Sequence, residues 1–323
     1  MLKVTSASYV EAELKKRLSI PAQVFSNHFQ AICKHLENDT DAYSLEKVKY
    51  FNSRLFSKPN CQYERIKKIL WNSWSTEYAL HLTAKQGNPD YYRHALHWSF
   101  PQAYYTCYLN MHAFCLAIGD RRESHLDLIR AFGDRVKNRQ YPGSISFFAE
   151  GNYEEYSISN LPLHNIKSAI TQIKSDADAQ SQIATFLKST RSNLAKYHRE
   201  KRQKSAVPIT TKSGAICQSF NKNQWKLITD NLGPTTMFDI LYRLRIKANY
   251  NDIESFMHAE IDFTQFHNCL ISIVNYLNFM HEAYLAKAIG YRKYLNIVET
   301  FPGHSKDNFV RARYEERIAT FVK

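Results

Sequence analysis

Two stretches of this 323-residue sequence combine residue types that could act on a phosphodiester, and the first is TRSNLAKYHR. Six residues separate Arg191 from His198, which is about two helical turns, so both side chains would face the same side. A histidine can relay a hydroxyl proton, and an arginine can hold a phosphate and its developing charge. We therefore take Arg191 and His198 as candidate catalytic residues. The alternative is a solvated basic helix, because about two such pairs are expected here by chance.

The second stretch is LYRLRIKANYND, residues 241–252. On a helix, Arg245, Asn249 and Asp252 share one face, and the opposite face is apolar. We expect a functional groove lined by Arg245, Asn249, Tyr250 and Asp252. The alternative is that Arg245 pairs with Asp252 or Asn249 and only stabilises the helix.

Positive charge is concentrated in one segment. The chain has a net charge of +13, and residues 186–212 contain eight basic residues against one acid, a net +7. A predicted helix runs into a loop there, and such a segment can bind phosphates without reading sequence. The candidate nucleic-acid-binding residues are Lys188, Lys196, Arg199, Lys201, Arg202 and Lys204. RNA or a nucleotide is the partner that this charge favours, and a solvated basic face is the alternative.

Other chemistry finds little support. The sequence has no glycine-rich phosphate loop, no HExxH and no GxSxG motif. His94 and His97 have possible metal spacing, but two ligands do not make a site. We therefore expect neither a metal nor a cofactor. The six cysteines form no CxxC pair, which indicates a reducing compartment. No apolar stretch is long enough to span a membrane, so we expect a cytoplasmic protein.

The elements that would position these residues are mostly helices. The chain has only 9 Gly and 9 Pro, which favours long helices over many short strands. The most apolar segment, SFPQAYYTCYLNMHAFCLAIGD, predicts a buried central helix that starts at Ser99 and ends at Gly119. Residues 141–160 predict a small β-hairpin. Other predicted helices include about 165–203, 222–257 with a break at 233–234, 263–290 and 305–320.

Three segments, in their order along the chain, resemble the HEPN superfamily of small helical bundles. Family members carry an Ala-Tyr-Tyr helix, and residues 103–105 match it. A following segment starts with His and ends near Phe-Gly, as His125 and Phe132-Gly133 do. One branch then has Arg-x-x-Ala-Asp-Tyr, which residues 245–250 resemble.

The resemblance implies an all-α, up-and-down bundle of four or five helices that often forms a homodimer. The similarity covers about residues 60–137 and 222–290. Residues 1–59 would then be an N-terminal helical extension. Residues 60–323 would form the HEPN-like domain, with an insertion at about 138–221 that includes the predicted hairpin.

Many members of this superfamily are ribonucleases of toxin or antiviral systems, and their site forms at the dimer interface. Their signature is an Arg followed, after four to six residues, by a His. Arg191 and His198 satisfy this spacing formally. After Arg245 the His is absent, and Asn249 and Tyr250 stand at the fourth and fifth positions, where neither is a good base near neutral pH. The branch without this His is linked to nucleotide or nucleic-acid binding and to partner assembly.

We therefore expect an RNA- or nucleotide-binding protein of a prokaryotic defence or toxin system. Two alternatives stay open. One is a metal-independent endoribonuclease effector, and the other is a non-catalytic assembly subunit that binds a partner protein.

Overall fold

The first half of the chain forms five helices. A computed structural model describes residues 20, 22–53, 62–165, 172–250 (side chains to 246), 260–302 and 309–321. A 3₁₀ turn, Leu45–Lys47, lies between the first two helices. The helices are α1 (22–38), α2 (Lys49–Asn52), α3 (Tyr63–Lys85), α4 (Pro89–Ala117) and α5 (His125–Lys137).

The second half contains the predicted hairpin and six more helices. Strands β1 (Phe148–Asn152) and β2 (Glu155–Ser159) pair antiparallel, with Gly151 opposite Tyr156. The helices are α6 (Asp176–Gln203), α7 (Lys222–Thr229), α8 (Met237–Tyr250), α9 (Phe263–Ile289), α10 (Tyr291–Glu299) and α11 (Phe309–Arg313). A π turn and a 3₁₀ turn continue α11 to Phe321. Helices make up 70% of the structure and strands 5%, so the all-α prediction is confirmed.

The apolar segment predicted to be a central helix lies within α4. Tyr104, Cys107, Met111 and Phe114 are fully buried there. The helix packs against α3, α8 and α9, so it occupies the centre of the helical assembly. Burial raises the pKa of the Cys107 thiol, as expected for an inert core cysteine.

The structure confirms the predicted C-terminal end of α4 and corrects its N-terminal end. The predicted start at Ser99 is wrong, because the helix begins ten residues earlier, at Pro89. The Asn88 side chain accepts hydrogen bonds from two backbone N–H groups of the first turn, and a proline at the first position needs no such acceptor. Pro101 therefore lies inside the helix. Gly119 has a φ of 77° and ends the helix, as predicted.

The segments expected to flank the bundle share its core. The ring of Phe29 in α1 lies 6.4 Å from that of Phe100 and 5.3 Å from that of Phe266. Within the predicted insertion, Phe147 and Phe186 are fully buried and belong to the same hydrophobic cluster. The described parts of the N-terminal extension and of the insertion are therefore parts of one core.

Two carboxylates and one guanidinium are buried together in this core. Glu77 of α3 and Glu282 of α9 are fully buried, and Arg313 of α11 is 8% exposed. The Arg313 guanidinium donates to Glu282 at 2.7 Å and to both carboxylate oxygens of Glu77. Burial raises the pKa of Glu282, Arg313 opposes this shift, and the negative charge of Glu77 adds to it.

Neutral donors complete this buried network. The Trp74 indole N–H and the Tyr294 hydroxyl donate to Glu282, at 2.9 and 2.7 Å. The Asn278 amide donates to Glu77 at 2.8 Å. Removing charges from water is costly, so a buried ion network holds only when its remaining hydrogen bonds are made. Here the bonds fix α3, α9, α10 and α11 in one arrangement.

Replacing Arg313→Met should lower the free energy of unfolding by about 3–5 kcal/mol, because two buried carboxylates lose their cation. The loss should be larger at pH 8 than at pH 5, because the variant lacks the charge that opposes the raised pKa of Glu282. A group whose folded pKa is raised stabilises the fold in its protonated form, and that contribution disappears as the pH rises through the folded pKa. Urea unfolding at both pH values measures this. The exposed neighbour Arg311 is the matched control, and Arg311→Met should keep the wild-type midpoint; a wild-type midpoint for Arg313→Met at pH 8 would refute the argument.

Candidate nucleic-acid interface

The three segments that carry the HEPN resemblance meet around the side chain of Arg245. The guanidinium donates to the Tyr105 hydroxyl at 2.7 Å. Its central carbon lies 4.8 Å from the ring centroid of Tyr105, 5.5 Å from that of Tyr104 and 5.8 Å from that of Tyr242. Together with two residues beside these rings, these side chains form the arginine–tyrosine cluster: Tyr104, Tyr105, Tyr108, His125, Tyr242 and Arg245.

His125 joins this cluster from the first position of α5. The Ser124 hydroxyl caps the helix by accepting from the Asp127 N–H at 3.2 Å, which fixes the place of the His125 backbone. The imidazole Nδ1 and the Tyr104 hydroxyl share a hydrogen bond of 2.9 Å. Burial lowers the pKa of His125, and the charge of Arg245 lowers it further. The imidazole is therefore mainly neutral at pH 7.

The two arginines of the stretch LYRLRI have different surroundings. Arg243 donates to the hydroxyls of Ser189 and Thr190 in α6, at 2.9 and 3.0 Å, so it joins α8 to α6. Arg245 is half-buried, and its Nε atom is buried without a hydrogen-bond acceptor among the described residues.

The rest of the predicted groove lies outside the described part of the site. Asn249 and Tyr250 are in the last turn of α8, and their side chains are outside the described residues, as is all of Asp252. The structure places Arg245 in the arginine–tyrosine cluster, and the groove itself stays a prediction at all four positions.

The structure gives Arg191 a structural role in place of the expected catalytic one. The side chain is 2% exposed. Its guanidinium donates to the backbone carbonyls of Gly151, at 3.0 Å, and Gly233, at 2.9 Å, and to the Thr235 hydroxyl at 3.3 Å. These bonds fasten the hairpin and the start of α8 to α6. A guanidinium with these acceptors is not available to a phosphate, so the catalytic pairing of Arg191 with His198 is wrong.

The predicted phosphate-binding residues divide into two groups. Lys188 and Arg199 are half-buried. Arg199 donates to the backbone carbonyl of Gln218, and its guanidinium lies 5.0 Å from the ring centroid of Phe220 and 5.7 Å from that of Trp225. It therefore holds the loop after α6. None of the other four side chains forms an ion pair with the residues that the structure describes. These four exposed side chains are Lys196, Lys201, Arg202 and Lys204.

The exposed cations adjoin the arginine–tyrosine cluster. Burial raises the pKa of Tyr242, Arg245 opposes the shift, and Tyr197 of α6 adds to it, so Tyr197 lies near Tyr242. Burial also lowers the pKa of His198, and the charges of Lys201 and then of Arg130 in α5 lower it further. His198 is thus neutral at pH 7 and lies between basic side chains of two helices. We take the cluster and the end of α6 together as one candidate surface that is basic and aromatic.

Two general features of the described residues complete this picture. They contain no group of three or more His, Cys, Asp or Glu side chains that could hold a metal ion. None of the helices in these ranges combines the length and the apolar content that crossing a membrane requires.

Comparison with known proteins returned no match to a family model, to a curated protein or to a solved structure. Membership in the HEPN superfamily therefore remains an expectation that rests on the motifs and their order.

Among the six residues of the cluster, the sequence predicts a functional role for Arg245 alone. His125 was recognised as the start of a motif, but its contact with Tyr104 depends on how α5 packs against α4, which no local pattern reveals. Tyr105 belongs to the Ala-Tyr-Tyr element of the resemblance and Tyr242 to a predicted helix, but neither pattern indicates a contact with Arg245. A usable signal existed for Tyr242, because it stands three residues before Arg245 and thus on the same helix face.

Arg191→Ala should lower the free energy of unfolding by about 2–4 kcal/mol, because several buried acceptors lose a charged donor. Chemical denaturation measures this change. The control is Lys196→Ala, five residues along the same helix and exposed, which should leave the unfolding midpoint unchanged. An Arg191→Ala protein of wild-type stability would contradict the structural role assigned here.

Proposed function

We propose that this chain binds RNA, or a nucleotide, on the surface that joins the arginine–tyrosine cluster to the end of α6. The observation that carries the proposal is the setting of Arg245. Its guanidinium is held against three tyrosine rings beside His125. Exposed cations follow on the neighbouring helix, so phosphate-binding and base-stacking groups lie together.

The half-buried guanidinium of Arg245 is the proposed phosphate contact. No carboxylate among the described residues pairs with it. The Tyr105 hydroxyl occupies one terminal nitrogen. A phosphate offers oxygens in the geometry that the remaining donors need. Tyr104 is fully buried, whereas the rings of Tyr105, Tyr108 and Tyr242 are only half-buried and could stack on a base.

The exposed cations supply the electrostatic part of the proposed binding. Lys196, Lys201 and Arg202 lie in the last turns of α6, and Lys204 is its C-cap residue. Neutralising phosphates releases the counterions of the nucleic acid, which gives an affinity that falls with salt. The resemblance to HEPN proteins supports the further proposal that this binding serves a prokaryotic defence or toxin system.

Cleavage of RNA is a second candidate function, and the position of His125 favours it. The lowered pKa of His125 leaves the imidazole able to accept a proton at pH 7. In the proposed step it takes the proton of a 2′-hydroxyl, the 2′-oxygen attacks the phosphorus, and the 5′-oxygen leaves with a proton from water. Arg245 would stabilise the charge that develops on the phosphate. Here His125 takes the place that His198 was expected to fill.

The combined variant Lys196→Glu, Lys201→Glu and Arg202→Glu should weaken RNA binding and flatten its salt dependence. Each lost phosphate contact removes about 0.7–0.9 from the slope of log affinity against log salt concentration, so the slope should fall by about 2. Fluorescence anisotropy with a labelled RNA between 50 and 300 mM salt, roughly the range where such effects are large, measures both quantities.

The control for this variant reverses three exposed cations elsewhere on the protein. Lys68→Glu, Arg292→Glu and Lys293→Glu give the same change in net charge, on α3 and α10. If both triple variants lose affinity equally, the effect comes from total charge and the end of α6 is only a solvated face. If neither the wild type nor a variant binds RNA, the assembly-subunit alternative becomes the better explanation.

His125→Asn should lower RNA cleavage by about 10²–10⁴-fold, the usual contribution of a general base, while RNA affinity stays near the wild-type value. Arg245→Ala should lower both. The assay is incubation with total cellular RNA in the presence of EDTA, followed by electrophoresis.

Tyr105→Phe removes only the hydroxyl that accepts from Arg245 and should give a smaller loss of affinity than Arg245→Ala. Binding without any cleavage by the wild type would reject the catalytic candidate alone, and unchanged binding by Arg245→Ala would reject the proposed site.

A further inference from the structure

A cleft of about 450 Å³ opens between the end of α6 and α7. Its walls include the apolar side chains of Leu227 and Ile209, and His198 and Asn231 supply polar groups. Lys201 and Arg202 line it as well. The volume falls within the range of about 300–1,000 Å³ that small-ligand pockets occupy. The cleft lies between the predicted insertion and the helix after it, and none of the six residues of the arginine–tyrosine cluster lines it.

Hydrogen bonds hold the walls of the cleft in place. The Gln203 amide oxygen accepts from the Ile209 N–H at 2.8 Å, and its amide nitrogen donates to the carbonyls of Ile209 and Cys217, at 3.1 and 2.8 Å. These bonds fix the loop after α6. On the other wall, the Asn231 amide nitrogen donates to the Leu227 carbonyl at 2.9 Å, which leaves the amide oxygen directed away from that bond. The cleft is therefore preformed.

The chemistry of the walls suits a flat group with a polar edge. Leu227 is 61% exposed and contributes apolar surface to the cleft. The neutral imidazole of His198 and the amide oxygen of Asn231 can exchange hydrogen bonds with the edge of a base. Tyr197, beside His198, is 56% exposed and offers a further ring face for stacking.

The charge beside the cleft indicates that the occupant is anionic. Lys201 and Arg202 are exposed and form no ion pair with the described residues, whereas the nearby Lys226 of α7 pairs with Asp230 at 2.8 Å. Arg130 of α5 adds positive charge near His198. An apolar slot beside unpaired cations matches an unpaired nucleotide, whose base is flat and whose phosphates are charged. In a duplex the base is stacked and paired, and it cannot enter.

We propose that this cleft binds one unpaired nucleotide of an RNA strand, with the base between Leu227 and Ile209 and the adjoining phosphate on Lys201 and Arg202. This inference rests on the proposed RNA-binding function and adds that the bound RNA is single-stranded. The strand then continues past Tyr197 toward the arginine–tyrosine cluster.

The experiment compares a labelled single-stranded RNA of mixed sequence with the same RNA in a perfect duplex, by fluorescence anisotropy. The wild type should bind the single strand more tightly. Leu227→Ala should lower its affinity roughly tenfold, because it removes most of the apolar contact of that side chain with the base, and should leave duplex binding unchanged. Because Leu227 is largely exposed, its truncation should not disturb the fold. The matched control is Leu82→Ala on α3, a leucine with 41% exposure, which should bind both RNAs as the wild type does.

The other possible outcomes distinguish a failure of the cleft proposal from a failure of the proposed function. Equal binding of single strand and duplex, or wild-type affinity in Leu227→Ala, overturns the cleft proposal and leaves the proposed function intact. No RNA binding by the wild type overturns both. Two further arms test other occupants with the same variants: a free nucleoside monophosphate and an acidic peptide. If either binds in a Leu227-dependent way while single-stranded RNA does not, the RNA strand is the wrong occupant.

Discussion

The buried network of Glu77, Glu282 and Arg313 constrains the rest of this fold. Two carboxylates share one guanidinium in a region that excludes solvent, so their desolvation is offset only when every bond of the network is made. The network recruits α3, α9 and α11 directly. It reaches α4 as well, because the Asn278 amide that donates to Glu77 also lies 2.9 Å from the Thr106 hydroxyl. The position of α4 is thus fixed by polar bonds and by apolar packing.

The arginine–tyrosine cluster depends on that position of α4. Tyr104 and Tyr105 precede Thr106, so the residue that bonds to the buried network is adjacent to those that surround Arg245. A second constraint sets α5 against the segment before α8. A Cβ atom on Gly133 would lie 3.0 Å from the carbonyl oxygen of Pro234, closer than most side-chain contacts allow. The Phe-Gly element of the resemblance therefore has a physical basis here, since it lets α5, which carries His125, approach α8.

The sequence predicts correctly those elements that depend on residues close to one another in the chain. The hairpin, the break at Gly233-Pro234 and the long helix at 263–290 are confirmed because turn residues and helical periodicity depend on neighbours in the chain. The roles of Arg191 and Ser99 were assigned wrongly for the opposite reason. Arg191 has acceptors 40 and 42 residues away in the chain, and Ser99 has the composition of a cap but lies within a helix that Asn88 had already started. His125 was missed because its role depends on two helices packing together.

The fold itself accounts for only part of the positive charge at the end of α6. The helix has 28 residues, about 42 Å at 1.5 Å per residue, and no side chain after Ala195 is buried. Cations in the last turn, such as Lys201 and Arg202, stabilise the carbonyl end of a helix, and Arg199 holds a loop. That account does not extend to Lys196, which lies well before the last turn, or to the exposed ring of Tyr197. Unneutralised like charges repel one another and weaken the folded state. Their combination with exposed apolar groups along one edge is therefore better explained by a ligand that carries both phosphates and bases.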